Sequence, residues 1–327
     1  MPEFRKNPLK NEWVIFSEER SKRPKEEKIA ECRFCEGMEK YTPSEVYSLS
    51  SKKNREPDTP GWIIRVVPNK FPALSPDNNS FIKVENFYKN AKGYGIHEVV
   101  INSSRHIKFI SQLEEDEIQL ILDVFVERIS KIKKNKRIKY ISIFLNQGEK
   151  AGASIEHSHS QIIALPMLPE SVKKEINILK KYYKDKKTCY FCDLIDAELK
   201  DKVRIIHKDD FFIITSLFYS SYFFEVSFIP MRHMSSFEDI SHREKEVLAK
   251  YIKKISNYYL EKFGGSMNMY IDSNLDYKDN RDYCHWTLKI LPRINNFGGF
   301  ELSTQMNINT SFPEKTAENI REYLNGR

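Results

Sequence analysis

The chain has 327 residues, 53 Lys and Arg against 46 Asp and Glu, and a formal charge of +7, which suits two domains or one large domain built from two halves. That charge is mild for the length, the lysine runs at 131–137 and 180–187 read as solvated helix faces, and no nucleic-acid-binding module is recognisable, so no nucleic acid is expected as partner. No run approaches the roughly 18 continuous apolar residues of a membrane span and the start Met1-Pro2-Glu3-Phe4-Arg5-Lys6 lacks signal-peptide form; a cytoplasmic protein is expected, in which five cysteines are metal ligands or free thiols rather than disulfides.

In chain order, the first chemical signal is the pair Cys32-Arg33-Phe34-Cys35. An apolar strand follows within His97-Glu98-Val99-Val100-Ile101-Asn102-Ser103-Ser104-Arg105-His106. Apolar residues at helical spacing (Ile118, Leu120, Ile121, Val124, Phe125, Ile129) predict a helix from Leu113 to Lys134. A buried strand at Ile141–Leu145 then leads through the small-residue loop Gly148–Ser154 to His157-Ser158-His159-Ser160-Gln161. Two histidines at i and i+2 on a strand share a face, so one imidazole can bind a metal while the other acts as a nucleophile. A glycine-containing loop just before them lets backbone N–H groups approach phosphate oxygens. Taken alone, such a doublet also fits a structural zinc site or a pair of surface histidines.

A polar, lysine-rich segment between about Met167 and Lys187 predicts a linking helix, and the pattern then repeats. Cys189-Tyr190-Phe191-Cys192 precedes Phe224-Glu225-Val226-Ser227-Phe228-Ile229-Pro230-Met231-Arg232-His233, which shares a Glu-Val start and an Arg-His end with the first phrase. A helical segment from Ser241 to Phe263 and a histidine-bearing strand around His285 complete it. The economical reading is an internal duplication, with halves at 1–170 and 171–327, each an antiparallel sheet packed with helices in an α+β fold.

Each half offers Cys-x-x-Cys and two histidines, a recognised tetrahedral zinc set: Cys32, Cys35, His106 and His157 in the first, Cys189, Cys192, His233 and His285 in the second. About two structural zinc ions per chain are therefore expected; the bland alternative is buried thiols and satisfied histidines. Counted back from Pro166 and Pro292, His285 aligns with His159, which leaves Tyr283 in the slot of His157. Cys284 has no evident role.

The ordered set of residues resembles the galactose-1-phosphate uridylyltransferase family, the transferase branch of the histidine-triad superfamily. The likeness starts at Arg5-Lys6-Asn7-Pro8-Leu9, Trp13 and Arg20-Ser21-Lys22-Arg23-Pro24, and continues through Val67–Leu74, Asn146-Gln147-Gly148 and Gly152-Ala153-Ser154. It ends in His285-Trp286 and Gly298-Gly299-Phe300-Glu301. The resemblance implies two histidine-triad-like halves, a homodimer, and a nucleotide sugar and a hexose 1-phosphate as substrates. It implies His159 as the nucleophile that takes the nucleotide, Gln161 and Ser154 on phosphoryl oxygens or the departing sugar phosphate, and Gly152 beside them. Asn69 and Asn146 match nucleotide contacts, Arg20 a phosphate contact across the dimer, and Glu301 and Gln305 hexose contacts. Two features depart from the best-known uridylyltransferases: Ser158 stands where they have proline, and Lys70 where some have aspartate.

An imidazole nitrogen can attack an α-phosphorus only if its lone pair is free, so the other ring N–H should be held by a backbone carbonyl or similar acceptor. The Gly152–Ser154 loop can supply donors to the growing negative charge. Where histidine-triad hydrolases carry a third histidine, this chain has Gln161; an amide gives up no proton, so a leaving group that departs unprotonated suits the site. The reading is a ping-pong nucleotidylyltransferase, with UDP-glucose and galactose 1-phosphate first. The alternative enzyme is an ADP-glucose phosphorylase, which the His-Ser-His-Ser-Gln and Gly-Gly-Phe-Glu phrases resemble; the non-enzymatic alternative is a zinc-stabilised nucleotide-binding protein.

Overall fold

A computed structural model describes residues 1–22, 32–78, 82–85, 87–273, 280–294 and 296–326. Of the residues singled out above, Arg23 and Pro24 lie outside the described residues. The chain separates into two compact units, one of residues 1–107, 124–143 and 157–178, the other of 108–123, 144–156 and 179–327. The fold is α+β with antiparallel sheets, as expected. Among the described residues no helix is long and apolar enough to cross a membrane.

The first unit holds β1 (Glu3–Asn7), β2 (Glu12–Phe16), β3 (Tyr47–Ser50), β4 (Trp62–Pro68), β5 (Ile82–Glu85), β6 (Tyr88–Lys92) and β7 (Ile96–Ile101). Helix α1 (Glu115–Ile132) and strand β8 (Tyr140–Gln147) divide their residues between the units, and β9 (His159–Leu165) returns to the first. Its strands form one sheet in the order β2-β1-β6-β5 and a second run in the order β9-β7-β4-β3. Phe4, Leu74 and Ala91 pack with Trp13, Ile163 and Leu165 into its core.

The register of β7 against β9 sets up the chemistry. His97 lies opposite Ile163, Val99 opposite Gln161, and Ile101 opposite His159. Directly opposed residues of an antiparallel pair share a face, so His97, His159 and Gln161 stand on one side of the sheet. On the other side, Glu98 receives two bonds from Arg128 of α1, at 2.9 and 2.7 Å, and both side chains are buried.

Helix α2 (Glu170–Lys186) fills the predicted linking segment. Cys189 caps α3 (Tyr190–Asp201), so the second cysteine pair opens a helix, whereas Cys32 to Cys35 lies in a turn. The second unit continues with β10 (Ile205–Lys208), β11 (Phe212–Thr215), β12 (Val226–Pro230), α4 (His242–Phe263), β13 (Met267–Asp272), β14 (Thr287–Pro292), α5 (Gly299–Thr304) and α6 (Pro313–Leu324). Its strand order is β10-β11-β12-β14-β13. Helix α4 matches its predicted span because Ser241 and Glu244 form a reciprocal capping box at its start and Gly264, in the left-handed conformation, ends it.

Truncating one partner of the Arg128–Glu98 pair strands a buried charge. Arg128→Ala should lower unfolding free energy by about 3–5 kcal/mol, read from urea denaturation; an unchanged midpoint would show the pair to be dispensable.

Candidate functional site

The strand that carries the doublet begins at His159, so His157 sits just before it. Ser158 N–H donates to the Ile107 carbonyl at 2.6 Å, and Ser158 Oγ accepts from Asn102 Nδ2 at 3.1 Å. Ser160 Oγ donates to the other end of the same amide, at 3.2 Å. These contacts hold the two serines on the side away from His159 and Gln161.

His157 is fully buried. Its Nε2 lies 2.8 Å from the Ser103 carbonyl, so that nitrogen carries the ring proton and Nδ1 is bare. Nδ1 faces Cys32 Sγ at 3.5 Å and Cys35 Sγ at 3.7 Å, while His106 Nδ1 is 3.4 Å from Cys35 Sγ. Zn–S bonds of about 2.3 Å and Zn–N bonds of about 2.0–2.1 Å at tetrahedral angles place ligand atoms roughly 3.6 Å apart. The group therefore fits a tetrahedral metal ion. Burial pushes the His157 imidazole down to about 4, against the pull of its Ser103 bond, which keeps it neutral as a ligand must be. Burial and the neighbouring Cys32 push the Cys35 thiol up to about 11, so a metal entering here displaces a proton.

The second group is wired the same way. His285 Nε2 lies 3.1 Å from the Pro230 carbonyl, and its Nδ1 faces Cys189 Sγ at 4.0 Å; His233 Nδ1 is 3.6 Å from Cys192 Sγ, with Nε2 2.7 Å from the Arg281 carbonyl. The two imidazoles cross at 82° with centres 5.4 Å apart, against 85° and 5.3 Å for His106 and His157. The carbonyl that holds the last histidine comes, in both groups, from the residue three before the first: Ser103 before His106, Pro230 before His233. The Phe between each pair of cysteines packs on the last histidine, Phe34 on His157 and Phe191 on His285. Within the cysteine pair, the contact with Cys192 pushes the Cys189 thiol down and the same contact pushes Cys192 up. All four ligand atoms of each group lie within 4.8 Å of one another. Counting to the proline placed His285 with His159, and the structure corrects this: His285 occupies the position that His157 holds, and Tyr283 offers only a backbone carbonyl to Cys189.

His159 differs from all four of these. Its Nδ1 is 2.8 Å from the carbonyl of His157, so Nδ1 carries the proton and Nε2 is the unprotonated nitrogen. Phe34 crosses its ring edge-on with centres 5.3 Å apart. An imidazole so held can attack an electrophilic phosphorus. Gln161 Oε1 lies 3.0 Å from His97 Nε2. His97 carried no role in the sequence reading; a lone histidine on an apolar strand gives no local signal, and only the register of β7 against β9 reveals it. Asn69 sits beside it, with Oδ1 accepting from Phe71 N–H at 2.9 Å and its own N–H bonded to the His97 carbonyl. Arg20 donates to the Phe71 carbonyl at 3.0 Å, and burial lowers its guanidinium.

In the second unit, Asn146 Oδ1 accepts from Asn268 Nδ2 at 2.8 Å. Gly148 and Gly152 both have positive φ, and a side chain at Gly148 would strike Ser266. The loop N–H groups of Ala151, Gly152 and Ala153 are spent on the carbonyls of Gly148 and Glu149. Ser154 Oγ is buried without a partner among the described residues. Glu301 Oε2 caps the start of α5 at the Gly298 N–H, and Gln305, exposed, ends that helix in the left-handed conformation.

Residues 1–169 match the family model described as galactose-1-phosphate uridyl transferase, N-terminal domain. The chain is 34% identical to an ADP-glucose phosphorylase of Arabidopsis thaliana, covering 98% of this chain and 93% of that one. It is 28% identical to a galactose-1-phosphate uridylyltransferase of Thermotoga maritima, covering 98% of each. A crystal structure of an ADP-glucose phosphorylase from Arabidopsis thaliana with bound ADP-glucose superposes with a TM-score of 0.78 at 32% identity, covering 98% of this chain and 99% of that one.

Proline at position 158 has no N–H for the Ile107 carbonyl and no hydroxyl for Asn102. Ser158→Pro should cost about 1–3 kcal/mol of stability, measured by chemical denaturation; equal stability would mean the backbone re-pairs both groups.

Proposed function

The chain belongs to the galactose-1-phosphate uridylyltransferase family and is a nucleotidylyltransferase; from that premise we propose that it moves a nucleoside monophosphate from a nucleotide sugar to a phosphate acceptor through His159. The observation that carries the reading is the bond from His159 Nδ1–H to the His157 carbonyl. In the first step the Nε2 lone pair attacks the α-phosphorus, an N–P bond forms, and the bond to the sugar phosphate breaks, releasing a sugar 1-phosphate as the dianion. In the second, a phosphate oxygen of the acceptor attacks the same phosphorus and the imidazole leaves. Gln161 can donate to a phosphoryl oxygen but gives up no proton, which suits a leaving group that needs none. Ser154 offers a buried hydroxyl with no partner among the described residues, as a contact to a phosphate oxygen would. Asn69, Asn146, Arg20, Glu301 and Gln305 keep their assigned contacts as part of the same proposal, while Gly152, its N–H spent on the Glu149 carbonyl, serves by shaping the loop before Ser154.

The two Cys₂His₂ groups hold zinc in this reading, two per chain. With four protein ligands each ion has no open position and acts structurally. The first ion would fix His157, whose carbonyl aims the nucleophile. The shared wiring of the two groups supports halves at 1–170 and 171–327 that descend from one ancestor. The C-terminal segment exposes Phe297, Phe300, Leu302, Met306, Ile308 and Phe312, an apolar run that supports a homodimer.

For substrates we propose ADP-glucose with inorganic phosphate, supported by the 34% identity to a phosphorylase over nearly the whole chain. The pair UDP-glucose and galactose 1-phosphate is the second reading, supported by the family model and the Thermotoga relative. The experiment is incubation with each nucleotide sugar and mass spectrometry of the intact protein. AMP on His159 is expected; UMP there selects the second reading, and neither adduct refutes transfer through this histidine. His159→Asn should abolish turnover while elemental analysis still finds about two zinc per chain; zinc lost with His159 would contradict the separation of roles.

A further inference from the structure

Gln161 has an ambiguity that its task cannot tolerate. The two ends of an amide are alike in shape, but one donates and the other only accepts. Turned one way, the side chain offers N–H groups to a phosphoryl oxygen; turned the other way, it sets a carbonyl dipole against that negative charge. Something must choose between them.

We propose that His97 is the positioning residue that makes this choice. The inference rests on the reading of His159 and Gln161 given above. His97 is buried at 4% exposure, and its Nδ1 accepts from the Ala73 backbone N–H at 3.0 Å. A backbone amide can only donate, so Nδ1 is bare and the single ring proton of the neutral imidazole sits on Nε2. That Nε2 has Gln161 Oε1 at 3.0 Å. Asn69 Nδ2 is 3.1 Å from the same nitrogen, but Asn69 Oδ1 is committed to the Phe71 N–H, so Asn69 offers no acceptor there. The proton goes to Gln161. With Oε1 held by His97, the Gln161 amide nitrogen is the end left to face a ligand. The order is set at the backbone: the Ala73 N–H fixes the tautomer of His97, and His97 fixes the orientation of Gln161. His97 touches no reacting atom.

The test is a double-mutant cycle on the full-length protein, read as the single-turnover rate of nucleotide transfer onto His159 from whichever of ADP-glucose and UDP-glucose the wild type uses. Gln161→Ala and His97→Leu should each slow transfer by about 10- to 100-fold, and the double variant should be no slower than Gln161→Ala alone. His97→Gln, which keeps a donor near the Nε2 position, should recover most of the rate lost in His97→Leu. If the two losses multiply, or if His97→Leu transfers at the wild-type rate, the proposal is overturned; a purely structural role for His97 in the Asn69–Ala73 loop would persist without Gln161 and would multiply. A wild-type protein that transfers neither nucleotide defeats the functional reading instead. The positioning claim is then decided by ¹⁵N NMR of the imidazole: a neutral His97 protonated on Nε2 supports it, and protonation on Nδ1 overturns it.

Discussion

A neutral imidazole carries one proton, and at His97, His157, His159, His233 and His285 the backbone decides which nitrogen holds it. Carbonyls of Ser103 and Pro230 take the Nε2 proton of His157 and His285 and turn their Nδ1 lone pairs toward the cysteines. The carbonyl of His157 takes the Nδ1 proton of His159 and leaves Nε2 as the unprotonated nitrogen. At His97 the sign is reversed: an N–H, from Ala73, strips Nδ1 and loads Nε2. One side-chain type thereby suits metal ligation, nucleophilic attack and hydrogen-bond donation.

This arrangement ties the first Cys₂His₂ group to the proposed nucleophile. His157 would be ligand and scaffold at once: its ring belongs to the Cys₂His₂ group and its carbonyl holds the Nδ1 proton of the next-but-one residue. Phe34, set between Cys32 and Cys35, packs on both His157 and His159, so the order imposed by a bound ion would reach the His159 ring through both covalent and packing routes. The serine between the histidines has a different part. Its N–H and hydroxyl are absorbed by Ile107 and Asn102 on the far side of the strand, so the contrast between serine and proline at this position concerns backbone pairing rather than direct reading of a base.

Much of this was legible in the sequence because it is written in local spacing. Both ligand sets come together as the two Cys-x-x-Cys pairs and their histidines predicted, and α1, α2 and α4 fall within a few residues of their predicted spans. What failed has physical causes. Counting back to a proline measures how long a strand runs after the histidine, and that length differs between β9 and β14; the fixed quantity is the carbonyl three residues before the first histidine ligand. The loop before the doublet reads as a row of free donors, but its N–H groups at 151–153 close the loop on itself. His97 was silent because its partners at Asn69, Ala73 and Gln161 are far along the chain, and only antiparallel register gathers them. The four-stranded sheet of β1, β2, β5 and β6 gave no distinct signal in strands only four or five residues long.

The claim on which the rest turns is that the His157 carbonyl holds the ring proton of His159 on Nδ1, so that attack falls to Nε2. The most direct measurement is ³¹P and ¹⁵N NMR of the protein labelled in its histidine rings and loaded with nucleotide, which reads the nitrogen bonded to phosphorus. Phosphorus coupled to Nε2 of His159 is the result that follows from the Nδ1–H bond to the His157 carbonyl. Coupling to Nδ1, or to any other histidine, would contradict the account.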